Sequence, residues 1–309
     1  MLTRSDVSPA PLPQPAPATV LISAALIVRD EERDLPACLE SLTWCDELVV
    51  VVDSGTTDAT AEVAKAAGAR VFLRDWEGWT PQRNFAFGEC RGEWILCIDA
   101  DERVEPLLRD EILTTIRGSE AADGYFFPRR NYWLGRWIRY GGYYPDYAIR
   151  LFRRGKGVCQ YMVHERIEID GSIGTLRNSL MHDNIQTVNE HMVTALRATE
   201  AEAREMLAND VRFYRVLPWQ PMAACVREFV GGPLTPLRFA LLAKKYFKNR
   251  AIVLWYVPFA PAIKFFRRYV LQQGFRDGIY GFWVAVLSAV YVVLKYAKYW
   301  ELSRAPKRG

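Results

Sequence analysis

The hydrophobic pattern divides the chain into three textures. In the first, apolar runs alternate with segments of helical spacing. Val20 to Val28 is an apolar run that predicts a strand, and the charged turn Arg29 to Arg33 leads into Leu35 to Leu42, whose Leu35, Cys38, Leu39 and Leu42 share one helix face. Leu48 to Val52 predicts a second buried strand ending at Asp53. The turn Ser54-Gly55-Thr56-Thr57-Asp58 follows, with Asp58 placed to cap an Ala-rich helix over Ala59 to Ala67 that Gly68 closes. Val71 to Leu73, a helix over Gln82 to Glu89, and the run Trp94 to Ile98 complete a repeating β-turn-α pattern. Such alternation predicts a parallel sheet with right-handed crossovers.

The run from Trp94 stops at two carboxylates, Asp99 and Asp101. Ligands of covered parallel sheets bind beyond the carboxyl ends of the strands, so these side chains are expected to line a crevice. Two neighbouring carboxylates repel and resist desolvation, which makes a divalent cation, Mg²⁺ or Mn²⁺ with a diphosphate, their natural partner. The plainer reading is a solvated acidic turn. Asp53, at the tip of the second strand, is where α/β folds read a nucleoside, but the Gly-x-Gly-x-x-Gly turn of dinucleotide folds is missing. A different nucleotide-binding α/β domain is indicated.

Composition narrows the class. Half of the 309 residues are apolar, enough for a large core, and the net charge is only +4. Six cysteines with no Cys-x-x-Cys pair suggest neither a zinc site nor disulfides and read as reduced, cytoplasmic thiols. Residues 1–19 read as a flexible Pro/Ala leader without a secretory signal's apolar region.

Four ordered motifs carry a resemblance: Ile27 to Glu31, Val52 to Asp58, Gln82 to Ala86 and Ile98 to Glu102. Together they resemble the inverting glycosyltransferases of family 2. The resemblance implies a GT-A fold, Rossmann-like with a mainly parallel sheet. It also implies that Asp53 reads the base of the nucleotide, that Asp30, Glu31 and Arg83 flank base and diphosphate, and that Asp99 approaches the ribose and Asp101 the metal.

From Tyr125 the second texture begins. Aromatics and arginines interleave with Gly and Pro through Asp146, neither a clean helix nor a clean strand. Arg129, Arg130, Trp133, Trp137, Tyr143 and Tyr144 are candidates for binding an acceptor, by stacking on sugar rings and pairing with anionic groups. Buried aromatics with solvated arginines are the plainer alternative. Nucleic acid is not indicated, because no RNA-binding motif accompanies the segment. Ile149 to Arg154 predicts a strand, Ile167 to Ile173 a hairpin turning at Asp170-Gly171, and Leu180 to His182 the end of the domain.

Inverting transfer needs a carboxylate to take the acceptor hydroxyl's proton, and Glu165 and Asp146 are the candidates. In GT-A enzymes a glycine loop, an acidic base and a late metal-binding histidine follow the metal aspartates, an order matched by Gly141-Gly142, Glu165 and His182. His164 and His191 are weaker candidates. Segments from Gly124 to Glu165, with the tail around Gly274 to Gly278 and Lys295 to Glu301, are similar to the lipopolysaccharide core β-1,4-glucosyltransferase subgroup. That similarity implies UDP-glucose as donor and an inner-core heptose of a glycolipid as acceptor. Two other readings remain open: a transferase acting on polyprenyl phosphate, and a catalytically silent sugar-nucleotide-binding membrane module.

The third texture is helical and basic. Thr187 to Leu207 has amphipathic spacing, Leu237 to Asn249 is a basic helix, and Ala251 to Ile263 is apolar but broken by Pro258 and Pro261. Gly278 to Leu294 carries no charge and is at the short limit for spanning a bilayer. Flanking Lys264, Arg267, Arg268, Arg276, Lys295 and Lys298, with Trp255, Trp283, Tyr291, Tyr299 and Trp300, suggest a monotopic anchor on the anionic cytoplasmic leaflet of the inner membrane. The expected organisation is a leader (1–19), a GT-A domain (20–185, with nucleotide-sugar half 20–120 and acceptor half 121–185) and a membrane-associated helical appendage (186–309).

Overall fold

The computed structural model describes residues 21–160, 166–208, 212–214, 251–253 and 257–304. Strands β1 (Ile22–Val28), β2 (Glu47–Asp53), β3 (Arg70–Arg74) and β4 (Trp94–Cys97) lie in the order β3-β2-β1-β4, all parallel. Helices α1 (Leu35–Glu40), α2 (Thr60–Ala66) and α3 (Trp79–Glu89) connect them. Alternation along β1 is hidden because both faces are covered. Ala24, Leu26 and Val28 pack with α1, α2 and α4 (Pro106–Ile116), while Ala25 and Ile27 pack with Ala86 and Phe87 of α3.

Beyond β4 the sheet becomes mixed. β5 (Glu102–Arg103), β6 (Gly124–Trp133), β7 (Arg136–Trp137), β8 (Asp146–Arg153), β9 (Gly157–Gln160), β10 (Arg166–Ile169), β11 (Ile173–Thr175) and β12 (Leu180–Ile185) follow. β8 inserts antiparallel beside β4, and the order continues β8-β6-β12-β5, with β7 and β11 also on β6. Much of the aromatic-arginine texture is thus a ten-residue strand, β6, which carries Pro128 within it. The hairpin expected over Ile167 to Ile173 is not formed: β10 pairs back onto β9, and after Asp170-Gly171 the chain joins β6 in parallel.

The amphipathic spacing after Thr187 forms α5 (Val188–Ala208), followed by two short parallel strands, β13 (Arg212–Tyr214) and β14 (Ala251–Val253). A helix α6 (Ala260–Phe266) then leads through a π-helical turn (Arg267–Leu271) and a 3₁₀ turn (Gly274–Asp277) into α7 (Gly278–Arg304). The appendage therefore contains strand as well as helix. By length and composition, the helical stretch Gly274–Arg304 is apolar enough to cross a membrane. The leader, the basic helix expected over Leu237 to Asn249, Cys225 and Trp255 lie outside the described residues.

Candidate active site

The turns after β1 and β2 are built from each other's side chains. Asp30, at φ 52°, accepts hydrogen bonds from the Thr57 N–H (2.7 Å) and hydroxyl (3.2 Å). Asp58 accepts from the Thr60 N–H and, across the gap, from the Glu32 N–H, each at 3.0 Å. Asp58 therefore bonds the first turn of α2 from just outside it and ties the two loops together. Asp53 is buried, with one oxygen receiving the Gly55 N–H (2.9 Å) and the other 3.1 Å from Arg29 without a hydrogen bond. Burial, reinforced by Asp101 and Asp34, pushes the Glu31 carboxyl up to about 7.

The loop from β4 to β5 carries Asp99 and Asp101. Arg103 holds it by donating to the carbonyls of Ala100 (2.6 Å) and Asp34 (2.8 Å), and Glu102 folds back to accept the Asp99 N–H (3.0 Å). Asp99 is gripped by Arg83 (2.8 Å) and by Arg150. Burial alone would raise its pKa, but the Arg150 and Arg83 guanidiniums outweigh burial and keep it ionised. Glu102 is wholly buried and receives Arg150 at 2.6 Å, with Arg129 at 3.6 Å. Arg129 in turn pairs with Asp146 at 2.6 Å. A chain of alternating charges thus runs from Arg83 on α3 through Asp99, Arg150, Glu102 and Arg129 to Asp146, across β8, β5 and β6.

His182 completes the cluster. Sheet register places it beside Asn131 of β6 and Glu102 of β5. Its Nε2 is 3.4 Å from Asp101 and its Nδ1 is 2.7 Å from Asn131 Oδ1. Burial disfavours the charged ring, but the Asp101 carboxylate more than compensates and the pKa is raised. Among the described residues no group of three or more His, Cys, Asp or Glu forms a closed metal cage. The donor set nonetheless fits a divalent cation: an oxygen and an imidazole nitrogen face each other at a crevice, and substrate phosphates commonly supply the remaining ligands of such ions.

The structure draws Asp99, Asp101, Arg83, Arg129, Asp146 and His182 into one cluster, with Asp30, Glu31 and Asp53 at the ends of β1 and β2. Glu165 and His164 lie outside the described residues. The aromatic candidates diverge. Trp133 is buried against Ile138 and Val284, with its indole N–H on His191 Nδ1 (3.3 Å), and is not brought to the crevice. Tyr143 turns toward α7, its hydroxyl 3.2 Å from Ser288. Trp137 lies under the Arg139 and Arg130 guanidiniums and meets Tyr144 edge to face, while Tyr144 bonds Ser179 and Arg130 pairs with Glu105. A cavity of about 980 Å³ extends from Asp99 and Arg83 past Arg129 and Arg150 to Ile149, Cys159 and Arg166. Sequence reasoning gave no role to Glu102, Arg150 and Asn131, although all three lie in motifs already singled out.

A parallel nucleotide-binding half, acidic groups beyond its strand ends and a mixed-sheet extension are the features of a GT-A transferase. The family model for glycosyl transferase family 2 matches residues 23–164. Over 295 residues, 91% of this chain and 92% of the relative, the chain is 30% identical to the lipopolysaccharide core biosynthesis glycosyltransferase LpsC of Rhizobium meliloti (strain 1021). It belongs to family 2 and is a glycosyltransferase. A shorter match, 38% identity over 29% of this chain and 31% of the relative, is to an uncharacterised glycosyltransferase of Rickettsia typhi. Among solved structures, the mannosyltransferase PcManGT from Pyrobaculum calidifontis, in complex with GDP-Man and Mn²⁺, shares the fold at a TM-score of 0.50 and 13% identity, covering 92% of this chain and 88% of that one.

Proposed function

We propose that this enzyme transfers a hexose, glucose from UDP-glucose, with inversion onto a lipopolysaccharide-core glycolipid at the cytoplasmic face of the inner membrane. The observation that carries the reading is the full-length similarity to LpsC, which extends through the acceptor half and the helical region as well as the nucleotide-binding half. The donor sugar rests on the subgroup motifs described above.

In this reading Asp53 accepts the N–H of the base with the oxygen that now faces Arg29, and Arg83 holds Asp99 toward the ribose. Asp101 and His182 hold Mg²⁺ or Mn²⁺. Held by these two side chains, such a cation would supply positive charge to offset that of the departing diphosphate. Glu165 takes the acceptor hydroxyl's proton. One fact favours it over Asp146, which is already engaged by Arg129 and Asn131. The acceptor occupies the cavity that extends from Asp99, with Arg129 as its polar contact.

Membrane association is supported by a ridge of exposed apolar side chains at α6 and the following turns. Phe259 (60% exposed), Ile263, Phe266, Leu271 (66%) and Phe275 stand among Lys264, Arg267 and Arg276. An apolar ridge with cationic flanks suits an anionic lipid surface better than open water.

The test is a panel of nucleotide sugars with Mn²⁺ or Mg²⁺ and lipopolysaccharide-core acceptors, following nucleotide diphosphate release and product. UDP release from UDP-glucose, lost in Asp101→Ala and strongly reduced in Glu165→Gln, is expected. A lipid-phosphate product would establish the polyprenyl-phosphate reading instead, and donor binding without transfer or hydrolysis the silent module. Activity surviving in Glu165→Gln but not in Asp146→Asn would move the base to Asp146.

A further inference from the structure

Asn131 has no counterpart among the residues singled out from the sequence, yet it sits at the centre of the cluster. Its amide nitrogen donates to the Tyr143 carbonyl (3.1 Å) and to Asp146 Oδ2 (3.2 Å). Both partners are acceptors only. Turning the amide over would set its oxygen against these two oxygens, so the orientation is fixed by chemistry and Oδ1 must face His182. At 2.7 Å from Nδ1, Oδ1 can only accept. His182 therefore carries a proton on Nδ1, which leaves Nε2, 3.4 Å from Asp101, as the nitrogen that would exchange its own proton for a cation.

We propose that Asn131 is a positioning residue that locks His182 in the Nδ1–H tautomer, the form whose Nε2 can bind a cation beside Asp101. The inference rests on the metal reading of Asp101 and His182 given above. A free imidazole favours the opposite tautomer, with its proton on Nε2, so the lock changes what the ring offers the crevice. Hydrogen bonding of a ligand histidine's second nitrogen to a fixed oxygen is a general means of orienting the ring and choosing its tautomer. Here that oxygen is itself fixed by two further partners, one of them the candidate base Asp146. Because Asn131 and His182 are cross-strand neighbours on β6 and β12, the pair is set by sheet register rather than by a loop.

The chain contains three histidines, and His191 supplies an internal contrast. The Trp133 indole N–H points at His191 Nδ1, which must accept and so leaves that ring with its proton on Nε2. Long-range ¹H–¹⁵N correlation spectra of the full chain labelled in histidine, recorded without metal at a pH where the rings are neutral, should show one ring protonated on Nδ1, lost in His182→Ala, and His191 protonated on Nε2. In Asn131→Leu the His182 pattern should move toward the Nε2–H form while His191 stays unchanged, which also shows that the fold is intact. Mn²⁺ binding in the presence of UDP, read by electron paramagnetic resonance, should weaken about 10- to 100-fold in Asn131→Leu. A wild-type His182 protonated on Nε2 overturns the proposal without recourse to any variant. Mn²⁺ affinity that depends on His182 but is unchanged in Asn131→Leu overturns the role of Asn131 alone. Mn²⁺ affinity unchanged in His182→Ala removes the metal reading, whatever the tautomer.

Discussion

Replacing Glu31 by Gln should make the metal-free protein more stable at alkaline pH and leave it nearly unchanged in acid. Burial, with help from the Asp101 and Asp34 carboxylates and against partial relief from Arg33, raises this carboxyl from 4.5 to about 7. The folded state therefore binds the Glu31 proton more tightly than the unfolded state. The stability this contributes is fully present below pH 4.5, is lost as pH rises, and is gone above about pH 7. A tenfold change in proton affinity corresponds to about 1.4 kcal/mol, so the unscreened cost of ionisation is about 3.4 kcal/mol. Glu31 is only partly buried, and solvent screening reduces this to about 1–2 kcal/mol. Gln keeps the shape and removes the charge. Calorimetry in EDTA should give a Tm for Glu31→Gln about 1.5–3 °C above wild type at pH 8 and the same within error at pH 4.5. A difference independent of pH, or a destabilised variant at pH 8, would refute the reasoning that burial beside Asp101 and Asp34 disfavours the Glu31 anion.

Arg150→Met should cost about 3 kcal/mol in denaturant unfolding and abolish transfer, because it strips a cation from the buried Glu102 and from Asp99 while leaving both carboxylates in place. Gly281→Ala should destabilise by about 1–3 kcal/mol in the same assay, since a Cβ there would lie 1.9 Å from the Gly274 carbonyl oxygen and push α7 off the turn before it. Asp277→Ala leaves the N–H groups of Arg139 and Tyr140, bonded at 3.1 and 2.8 Å, without their acceptor. Limited proteolysis should then cut between 139 and 144 faster than in wild type, with acceptor KM raised more than kcat is lowered.

The parallel half was legible because its signals are local. Continuous apolar runs mark strands covered on both faces, and Asp53, Asp99 and Asp101 announce themselves at the strand ends. Even there one signal went unused: Leu108, Ile112 and Ile116 recur at helical spacing after Pro106 and are the buried face of α4. The acceptor half was harder for a physical reason. On β6, Arg129 and Asn131 turn toward Glu102, Asp146 and His182, while Arg130 turns toward Glu105, so neither face of that stretch reads as hydrophobic. Their partners are distant in sequence. Arg150 is 48 residues from Glu102 and 51 from Asp99, and nothing local reveals that the three neutralise one another. Trp133 illustrates the converse, since an aromatic residue reads the same whether it stacks on a sugar or packs against Val284.

The helical appendage also bears on the site, because its segment 267–277 shapes the loop that carries Gly141 to Tyr143. Gly141 and Gly142 have φ of 68° and 75°, and a Cβ on Gly142 would lie 2.7 Å from the Gln272 side chain, so glycine is required where loop meets turn. The Gly141 N–H donates to the Gln272 carbonyl at 2.9 Å, and Arg268 donates to the Gly141 carbonyl at 3.1 Å while covering the Tyr143 ring. Two residues further on, the Tyr143 carbonyl holds Asn131, and Asn131 holds His182. The apolar ridge of Phe266, Leu271 and Phe275 lies on that same turn. If this ridge is seated on lipid, the surface that delivers a glycolipid is joined by three short links to the histidine beside Asp101. Exchanging the ridge for polar residues should therefore weaken vesicle binding while leaving the loop contacts intact, whereas Asp277→Ala should disturb the loop and leave vesicle binding alone. The separation of those two effects is what distinguishes an anchor that merely concentrates the enzyme from one that also supports its site.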